Sequence, residues 1–133
     1  MNILFVYFDK IIQNDNLYVK SLCEEIRRQN GSVECSIDAF WNSPRKYDIV
    51  HIQFPEVIFK WRQPSNNGLK ALRQRIARLK SMGTKIVYTR HDAIPHYCTD
   101  KNKLELYRIV ETQSNAIIHL GEYSGQEFAR IYP

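Results

Sequence analysis

Short runs rich in apolar residues recur along the chain and predict strands. The predicted strands are Ile3–Phe8, Val33–Asp38, Asp48–Phe54, Lys85–Thr89 and Asn115–Leu120. The first is continuously apolar, which is typical of a central parallel strand that is covered on both faces. The second alternates apolar and polar residues, which predicts a shorter and more exposed strand.

Between these runs, apolar residues recur every three or four positions and predict helices. The predicted helices extend from Asp15 or Asn16 to about Asn30, from 64–68 to Met82, over Lys101–Gln113, and from Ser124 to about Tyr132. Ser124 and Glu127 have the spacing of a capping box, so we expect Ser124 to begin the last helix. Residues 40–47 are predicted to be a loop. The order β-α-β-β-α-β-α-β-α predicts an α/β protein with a three-layer, doubly wound parallel sheet and helices on both faces.

Length and composition favour one globular domain over residues 1–133. Hydrophobic residues make up 44% of the chain, enough for a core, and no apolar run is long enough to span a membrane. The first strand follows Met1 directly and leaves no room for a signal peptide, so we expect a cytoplasmic protein. The net charge of +5 is consistent with an anionic partner.

The three cysteines, Cys23, Cys35 and Cys98, match neither a disulfide framework nor a zinc-binding pattern. Cys23 lies in a predicted helix and Cys35 in a predicted strand. Both are interpreted as small core residues rather than as redox groups.

Titratable residues follow the fourth predicted strand, in the segment Lys85–His96 (KIVYTRHDAIPH). In open α/β sheets, ligands bind beyond the carboxyl ends of the parallel strands. The polar residues expected at that edge are Asp9, Lys10, Gln53, Glu56, Arg90, His91, Asp92, Glu122, Tyr123 and Ser124. His91 is the first candidate because imidazole titrates near neutral pH. The alternative is a histidine that only orders its loop, and His51 and His119, inside strands, are interpreted as hydrogen-bonded core histidines.

Several kinds of site are disfavoured. His91, Asp92 and His96 are metal-ligand types, but the ligand spacing of known sites is missing, so we expect no metal. Nothing marks Cys98 beside His96 as an activated thiolate. The segment Asp9–Asn16 contains no glycine, which argues against a dinucleotide fingerprint and a P-loop, and we expect no bound cofactor.

The helix ending at Met82 carries basic residues on its outer face and no acidic residue. These are Lys70, Arg73, Arg75, Arg78 and Lys80. Such a face is commonly only solvated, and the alternative is a surface for phosphate or anionic lipid headgroups. Nucleic acid is not the expected partner, because aromatic stacking residues are not interleaved with the basic ones.

Four segments resemble the N-terminal Rossmann-like domain of GT-B glycosyltransferases of the GT4 type, retaining enzymes that use nucleotide-sugar donors. Asn2–Tyr7 is similar to the opening strand of that domain, and Tyr47–Glu56 (YDIVHIQFPE) to its D-hydrophobic-hydrophobic-H strand. Lys85–His96 resembles the K-hydrophobic-V-x-T-x-H strand, and Asn115–Ser124 the strand that ends near a serine.

The resemblance implies a hexosyltransferase in which His91 is catalytic and faces the donor sugar and diphosphate. Asp9, Lys10, Gln53, Glu56, Arg90, Asp92 and Ser124 are then expected to bind substrate. It further implies a glycan or lipid-linked acceptor, and a membrane contact through the Lys70–Lys80 helix at the inner membrane surface. The first loop departs from the family, because Asp9–Asn16 lacks the paired glycines that approach the donor.

In such enzymes the nucleotide is bound mainly by a C-terminal Rossmann domain. This chain contains no such domain and stops at Pro133, so we expect an inactive fragment. The alternative from another class is a stand-alone flavodoxin-like binding or regulatory module. Against it, the first strand ends in the single acidic residue Asp9 rather than in an acidic cluster.

Overall fold

Strands and helices alternate along the described part of the chain, which comprises residues 1–9, 17–92 and 100–133 of a computed structural model. The elements are β1 (Asn2–Phe5), α1 (Leu17–Asn30), β2 (Ser32–Cys35), α2 (Ile37–Asn42), β3 (Ile49–Ile52), a short 3-10 helix (Pro55–Phe59), α3 (Asn66–Ser81), β4 (Lys85–Arg90), α4 (Lys101–Gln113), β5 (Ala116–His119) and α5 (Glu122–Ile131). The expected helix start at Asp15 or Asn16 lies outside the described residues.

The five strands form one parallel sheet in the order β2-β1-β3-β4-β5. Ile3 of β1 is level with Val33 of β2 and with Ile49 of β3. After β2 the chain returns to the opposite side of β1, so the strand order reverses between β1 and β3. In folds of this kind the crevice beyond that reversal point is where ligands bind.

The sheet has helices on both faces, which confirms the predicted three-layer, Rossmann-like α/β fold. On one face, Leu4, Val50 and Ile86 pack in a core with α3 and α4. The predicted apolar stripe of α3 is buried there; its members are Leu69, Leu72, Ile76 and Leu79. On the other face, Ile3 and Phe5 pack with α1.

Part of the α1 face of the sheet is open. The fully buried residues of α1 are Val19 and Cys23. The predicted stripe of Tyr18, Leu22 and Ile26 instead lines a groove of about 390 Å³, whose floor includes Ile49, Val87 and Ile118 from three strands. Apolar side chains are therefore accessible over β3, β4 and β5 on this face.

The second strand is shorter than predicted, and a helix follows it. The sequence predicted a strand to Asp38 and a loop over 40–47, but β2 ends at Cys35 and α2 follows at once. Ser36 is the N-cap of α2, because its hydroxyl accepts the backbone N–H of Ala39 at 2.9 Å. Asp38 in the first turn adds a favourable charge at the helix N-terminus.

The last helix begins earlier than predicted. α5 starts at Glu122 after Gly121, and Ser124 lies within its first turns rather than at its N-cap. The capping-box prediction is therefore wrong: Ser124 and Glu127 both bond to Arg90 of β4. Within the described ranges, no helix is long and apolar enough to cross a bilayer.

Candidate functional site

A chain of hydrogen bonds crosses the carboxyl ends of β3 and β4 on the face that α1 covers. The imidazole Nε2 of His51 lies 2.9 Å from Thr89 Oγ1, and the Gln53 amide nitrogen lies 3.2 Å from the same hydroxyl. Gln53 Oε1 in turn accepts from Nε2 of His91 at 2.7 Å. Positions 51 and 53 are two residues apart along β3 and its end, and positions 89 and 91 are two residues apart along β4 and its end. Residues two apart in a strand point to the same face, so all four side chains lie on one face of the sheet. Together with Tyr18 and Phe54, we call these residues the His91 cluster.

The donors and acceptors in this chain can be assigned from the amide. An amide nitrogen only donates and an amide oxygen only accepts. The Gln53 oxygen therefore places a proton on Nε2 of His91. The Gln53 nitrogen donates to the Thr89 hydroxyl and lies 3.1 Å from Nε2 of His51, so Nε2 of His51 is an acceptor for the amide and for the Thr89 hydroxyl. This assignment follows from the hydrogen-bond geometry.

Burial keeps both imidazoles neutral at pH 7. Burial, with a smaller contribution from the neighbouring His91, lowers the pKa of His51 to about 4. Burial also lowers the pKa of His91, although the Asp92 carboxylate opposes the shift. The His91 cluster therefore offers neutral hydrogen-bonding groups rather than cations.

Aromatic rings hold His91 in place. Phe54 stacks on its imidazole, with ring centroids 4.7 Å apart and 20° between the planes, and Tyr18 meets it edge-on at 5.6 Å. Trp61 lies 6.1 Å from Phe54 and remains 48% exposed. Lys60 and Trp61 both have left-handed backbone conformations, with φ of 54° and 63°. Such conformations are costly for residues other than glycine and concentrate at functional sites.

Arg90 lies on the opposite face of the sheet from His91. Only 2% of it is exposed. Its guanidinium donates to Glu111 of α4 at 3.1 Å, and to Glu127 and the Ser124 hydroxyl of α5, each at 3.1 Å. Glu111 also accepts from the Tyr132 hydroxyl at 2.8 Å. We call these five residues the Arg90 network.

The Arg90 network joins two residues that the sequence placed together, Arg90 and Ser124. Burial acts against the charge of Arg90, but the hydrogen bonds and charges of Glu111 and Glu127 outweigh it and raise the pKa of the guanidinium. In this conformation the cation is held inside the protein and is not presented to the crevice.

Glu56 also lies on the α4 side. It is buried, and its Oε1 accepts from the Tyr107 hydroxyl at 2.8 Å. Its Oε2 has no hydrogen-bond partner among the described residues. Burial raises the pKa of Tyr107, with the charge of Glu56 and, more weakly, that of Asp92 adding to the effect. Glu56 and half-buried Asp92 are therefore near α4, whereas Gln53 is with His91.

The other predicted residues are dispersed. Asp9 lines a separate cavity between α1 and β2. His119 is half-buried, with its Nδ1 3.0 Å from the Ser124 hydroxyl and its ring 5.5 Å from Phe128. Lys10, His96 and Cys98 lie outside the described residues. No group of three or more histidines, cysteines and carboxylates in the described ranges could hold a metal ion.

The basic face of α3 is partly used within the domain. Arg73 pairs with Glu105 of α4 at 2.6 Å. Arg75 donates to the carbonyl of Phe40 and, at 2.9 Å, to that of Ser43, which satisfies the C-terminal end of α2. The membrane-contact hypothesis therefore rests on the remaining cations, which are Lys70, Arg78 and Lys80.

Sequence reasoning placed Gln53 and His91 at the candidate site but missed the other four members of the His91 cluster, which are Tyr18, His51, Phe54 and Thr89. His51 was correctly predicted to be a buried histidine, but its connection to His91 through Thr89 and Gln53 was not foreseen. Alternation along the two strands could have revealed it, since positions 51, 53, 89 and 91 share one face. Tyr18 and Phe54 had no comparable signal, because their contact with His91 depends on how α1 and the 3-10 helix pack.

The chain matches no protein-family model, no curated protein and no solved structure. The resemblance of its motifs to glycosyltransferases therefore remains a prediction. The chemistry of the His91 cluster is clearer: neutral imidazole, amide and hydroxyl groups lie among aromatic rings at the carboxyl edge of a parallel sheet. His51, Gln53 and Thr89 are buried, whereas His91 is half-buried and Tyr18 is exposed, so these last two are the groups that a neutral, hydroxyl-bearing ligand can contact.

Proposed function

We propose that this domain is the N-terminal half of a GT-B glycosyltransferase and that it forms one wall of the cleft in which sugar is transferred from a nucleotide-sugar donor. The observation that carries the proposal is the hydrogen-bonded chain from His51 through Thr89 and Gln53 to His91. It ends beside the crevice where parallel sheets of this class bind ligands. His91 is the residue that would contact the donor sugar.

The groups of the His91 cluster suit a sugar. Sugar hydroxyls need donors and acceptors held in fixed directions, and the more apolar faces of the ring pack well on aromatic side chains. Gln53 fixes the tautomer of His91, and Phe54 fixes the plane of its ring. A neutral imidazole of this kind contributes directed hydrogen bonds without attracting unrelated anions.

The state of Arg90 supports the proposal that one wall is not enough for catalysis. Departure of a nucleoside diphosphate develops negative charge that must be stabilised by cations or backbone N–H groups. The Arg90 guanidinium is already bonded to Glu111 and Glu127. The diphosphate would therefore be bound by a second domain, and the 133-residue chain alone would be inactive.

The test is binding of nucleoside diphosphate sugars to the 15N-labelled 133-residue chain, followed by amide chemical shifts. The corresponding free nucleoside diphosphates serve as controls. We expect weak, saturable binding that depends on the sugar and shifts the amides of Gln53, Phe54 and His91. His91→Ala should abolish these shifts and leave the spectrum of a folded protein.

The matched control is His119→Ala, which removes a histidine from the other face of the sheet. We expect this variant to bind sugar normally and to lose about 1 kcal/mol of stability with the Ser124 hydrogen bond. Equal binding by wild type and His91→Ala would overturn the proposal. Steady hydrolysis of a nucleotide-sugar by the purified chain would refute the claim that this domain alone is inactive.

One observation favours the alternative function. The strand order β2-β1-β3-β4-β5 is also that of flavodoxin-like proteins, which bind flavin mononucleotide at the β1/β3 reversal point. Titration of flavin mononucleotide, followed by quenching of its fluorescence, separates the two functions. We expect no quenching, and stoichiometric quenching would favour the flavodoxin-like module.

A further inference from the structure

Two cysteine thiols touch each other between α1 and β2. The Sγ atoms of Cys23 and Cys35 are 3.3 Å apart, although the residues are 12 positions apart in the sequence. Cys23 is 2% exposed, as expected for a core residue, whereas Cys35 is half-buried. A disulfide requires sulfur atoms about 2.05 Å apart. Formation of a disulfide would therefore bring the two sulfur atoms closer by about 1.3 Å, from 3.3 Å to about 2.05 Å.

A cavity gives access to this pair. It has a volume of about 270 Å³, and its lining residues are Asp9, Lys20, Cys23, Glu24, Arg27 and Cys35. Arg27 reaches over β2 and donates to the carbonyl of Val33 at 3.3 Å. The charged residues of this wall are two cations and two carboxylates, so a small disulfide can approach Cys35 without meeting an excess of either charge.

The environment makes the two thiols unequal. The hydrogen bond with Cys23 lowers the pKa of Cys35 despite its partial burial, and the charge of Arg27 adds to the lowering. The same hydrogen bond, together with burial, raises the pKa of Cys23. Cys35 is also the more accessible thiol, since it is half-buried whereas Cys23 is 2% exposed, so Cys35 is the stronger candidate for the thiolate that attacks.

We propose that Cys23 and Cys35 are a reversible dithiol site that reacts with small-molecule disulfides and closes to an intramolecular disulfide joining α1 to β2. The site is independent of the His91 cluster. It is also distinct from Cys98, which lies outside the described residues.

The reaction is two successive thiol–disulfide exchanges. The Cys35 thiolate attacks one sulfur of glutathione disulfide; the bond between the two glutathione sulfurs breaks, and one glutathione thiolate leaves. The Cys23 thiol then loses its proton and attacks the Cys35 sulfur, which releases the second glutathione. In total, two protein thiols are oxidised, one glutathione disulfide is reduced, and the two released thiolates take up the two protons.

The experiment incubates the reduced chain with glutathione disulfide and follows intact mass and non-reduced peptide maps. We expect wild type to lose two hydrogen atoms and to yield a peptide pair linked through Cys23 and Cys35. Cys98→Ser is the matched control and should form the same link. Added dithiothreitol should restore both thiols in both proteins.

Single variants test the order of attack. Cys23→Ser should stop at the mixed disulfide and accumulate one glutathione on Cys35. In Cys35→Ser, glutathione should add to Cys23 at least about tenfold more slowly than it adds to Cys35 in Cys23→Ser. A wild-type protein that keeps both thiols, or links either one to Cys98, would overturn the proposal without any variant. Equal glutathione addition at Cys23 and Cys35 would overturn the assignment of the attacking thiol.

Discussion

Removal of the Arg90 guanidinium should destabilise this domain more than removal of any exposed basic residue. Arg90→Met leaves an apolar side chain of similar length and removes the cation from between two carboxylates. The Glu111 side chain is 4% exposed and cannot be solvated in place, whereas Glu127 is 29% exposed and can reach water. The cost of the substitution therefore arises chiefly from Glu111.

The magnitude follows from the burial of Glu111. Removal of one partner of a buried ion pair costs about 3–5 kcal/mol, because the remaining charge is left without compensation. Glu111 keeps one hydrogen bond, from the Tyr132 hydroxyl. We therefore expect the lower part of that range, about 3 kcal/mol. Since proteins of this size lose about 1–3 kcal/mol of stability per molar urea, the urea midpoint should fall by about 1–3 M.

The assay is urea unfolding followed by circular dichroism, with Arg73→Met as the matched control. Arg73 also pairs with a glutamate on α4, at 2.6 Å from Glu105, but both side chains are partly exposed. Exposed pairs of this kind contribute about 0–1 kcal/mol. The double variant Arg90→Met/Glu111→Gln should recover part of the loss, because it removes the uncompensated charge. Equal effects of Arg90→Met and Arg73→Met, or no recovery in the double variant, would refute the reasoning.

Two further predictions concern buried polar groups. Because the pKa of His51 is lowered to about 4 from 6.5, its neutral form stabilises the fold fully above pH 6.5, and this stability is lost as the pH falls toward 4. We expect the free energy of unfolding of the wild type to fall by about 3 kcal/mol over that interval. His51→Gln should remove this component of the pH dependence. Parallel pH profiles of unfolding for the wild type and His51→Gln would contradict the prediction. Tyr107→Phe leaves Glu56 without its hydrogen bond and should cost about 1–3 kcal/mol in urea unfolding. A loss below about 0.5 kcal/mol would show that the buried carboxylate does not depend on that hydroxyl.

The central strands could be predicted from the sequence because β1, β3 and β4 are largely buried and so appear as apolar runs. Helix α2 could not, because its six residues are too few to show a helical period. The alternation from Val33 onward resembles a strand that continues to Asp38. Only the hydroxyl of Ser36, which accepts from Ala39, indicates that the strand has ended.

The candidate site was predicted only as an edge of the sheet. The sequence placed Gln53, Glu56, Arg90 and His91 together because all follow or end strands at their carboxyl ends. The structure divides them between two faces, with Gln53 and His91 on the α1 side and Arg90 and Glu56 on the α4 side. Alternation separates neighbours such as Arg90 and His91, but which face contains acidic partners depends on the packing of α4 and α5. The same long-range packing overrode the local capping pattern of Ser124 and Glu127.

Helix α5 is attached to the domain in an unusual way. None of its residues is fully buried, and its hydrogen bonds to the sheet run from Ser124 and Glu127 to the guanidinium of Arg90 and from Ser124 to the imidazole of His119. A helix that rests on an apolar surface can slide or roll slightly and still bury a similar area. Hydrogen bonds to a planar, five-donor group have fixed directions. The directions of these hydrogen bonds, and not only the area that the helix buries, therefore determine the axial position and rotation of α5.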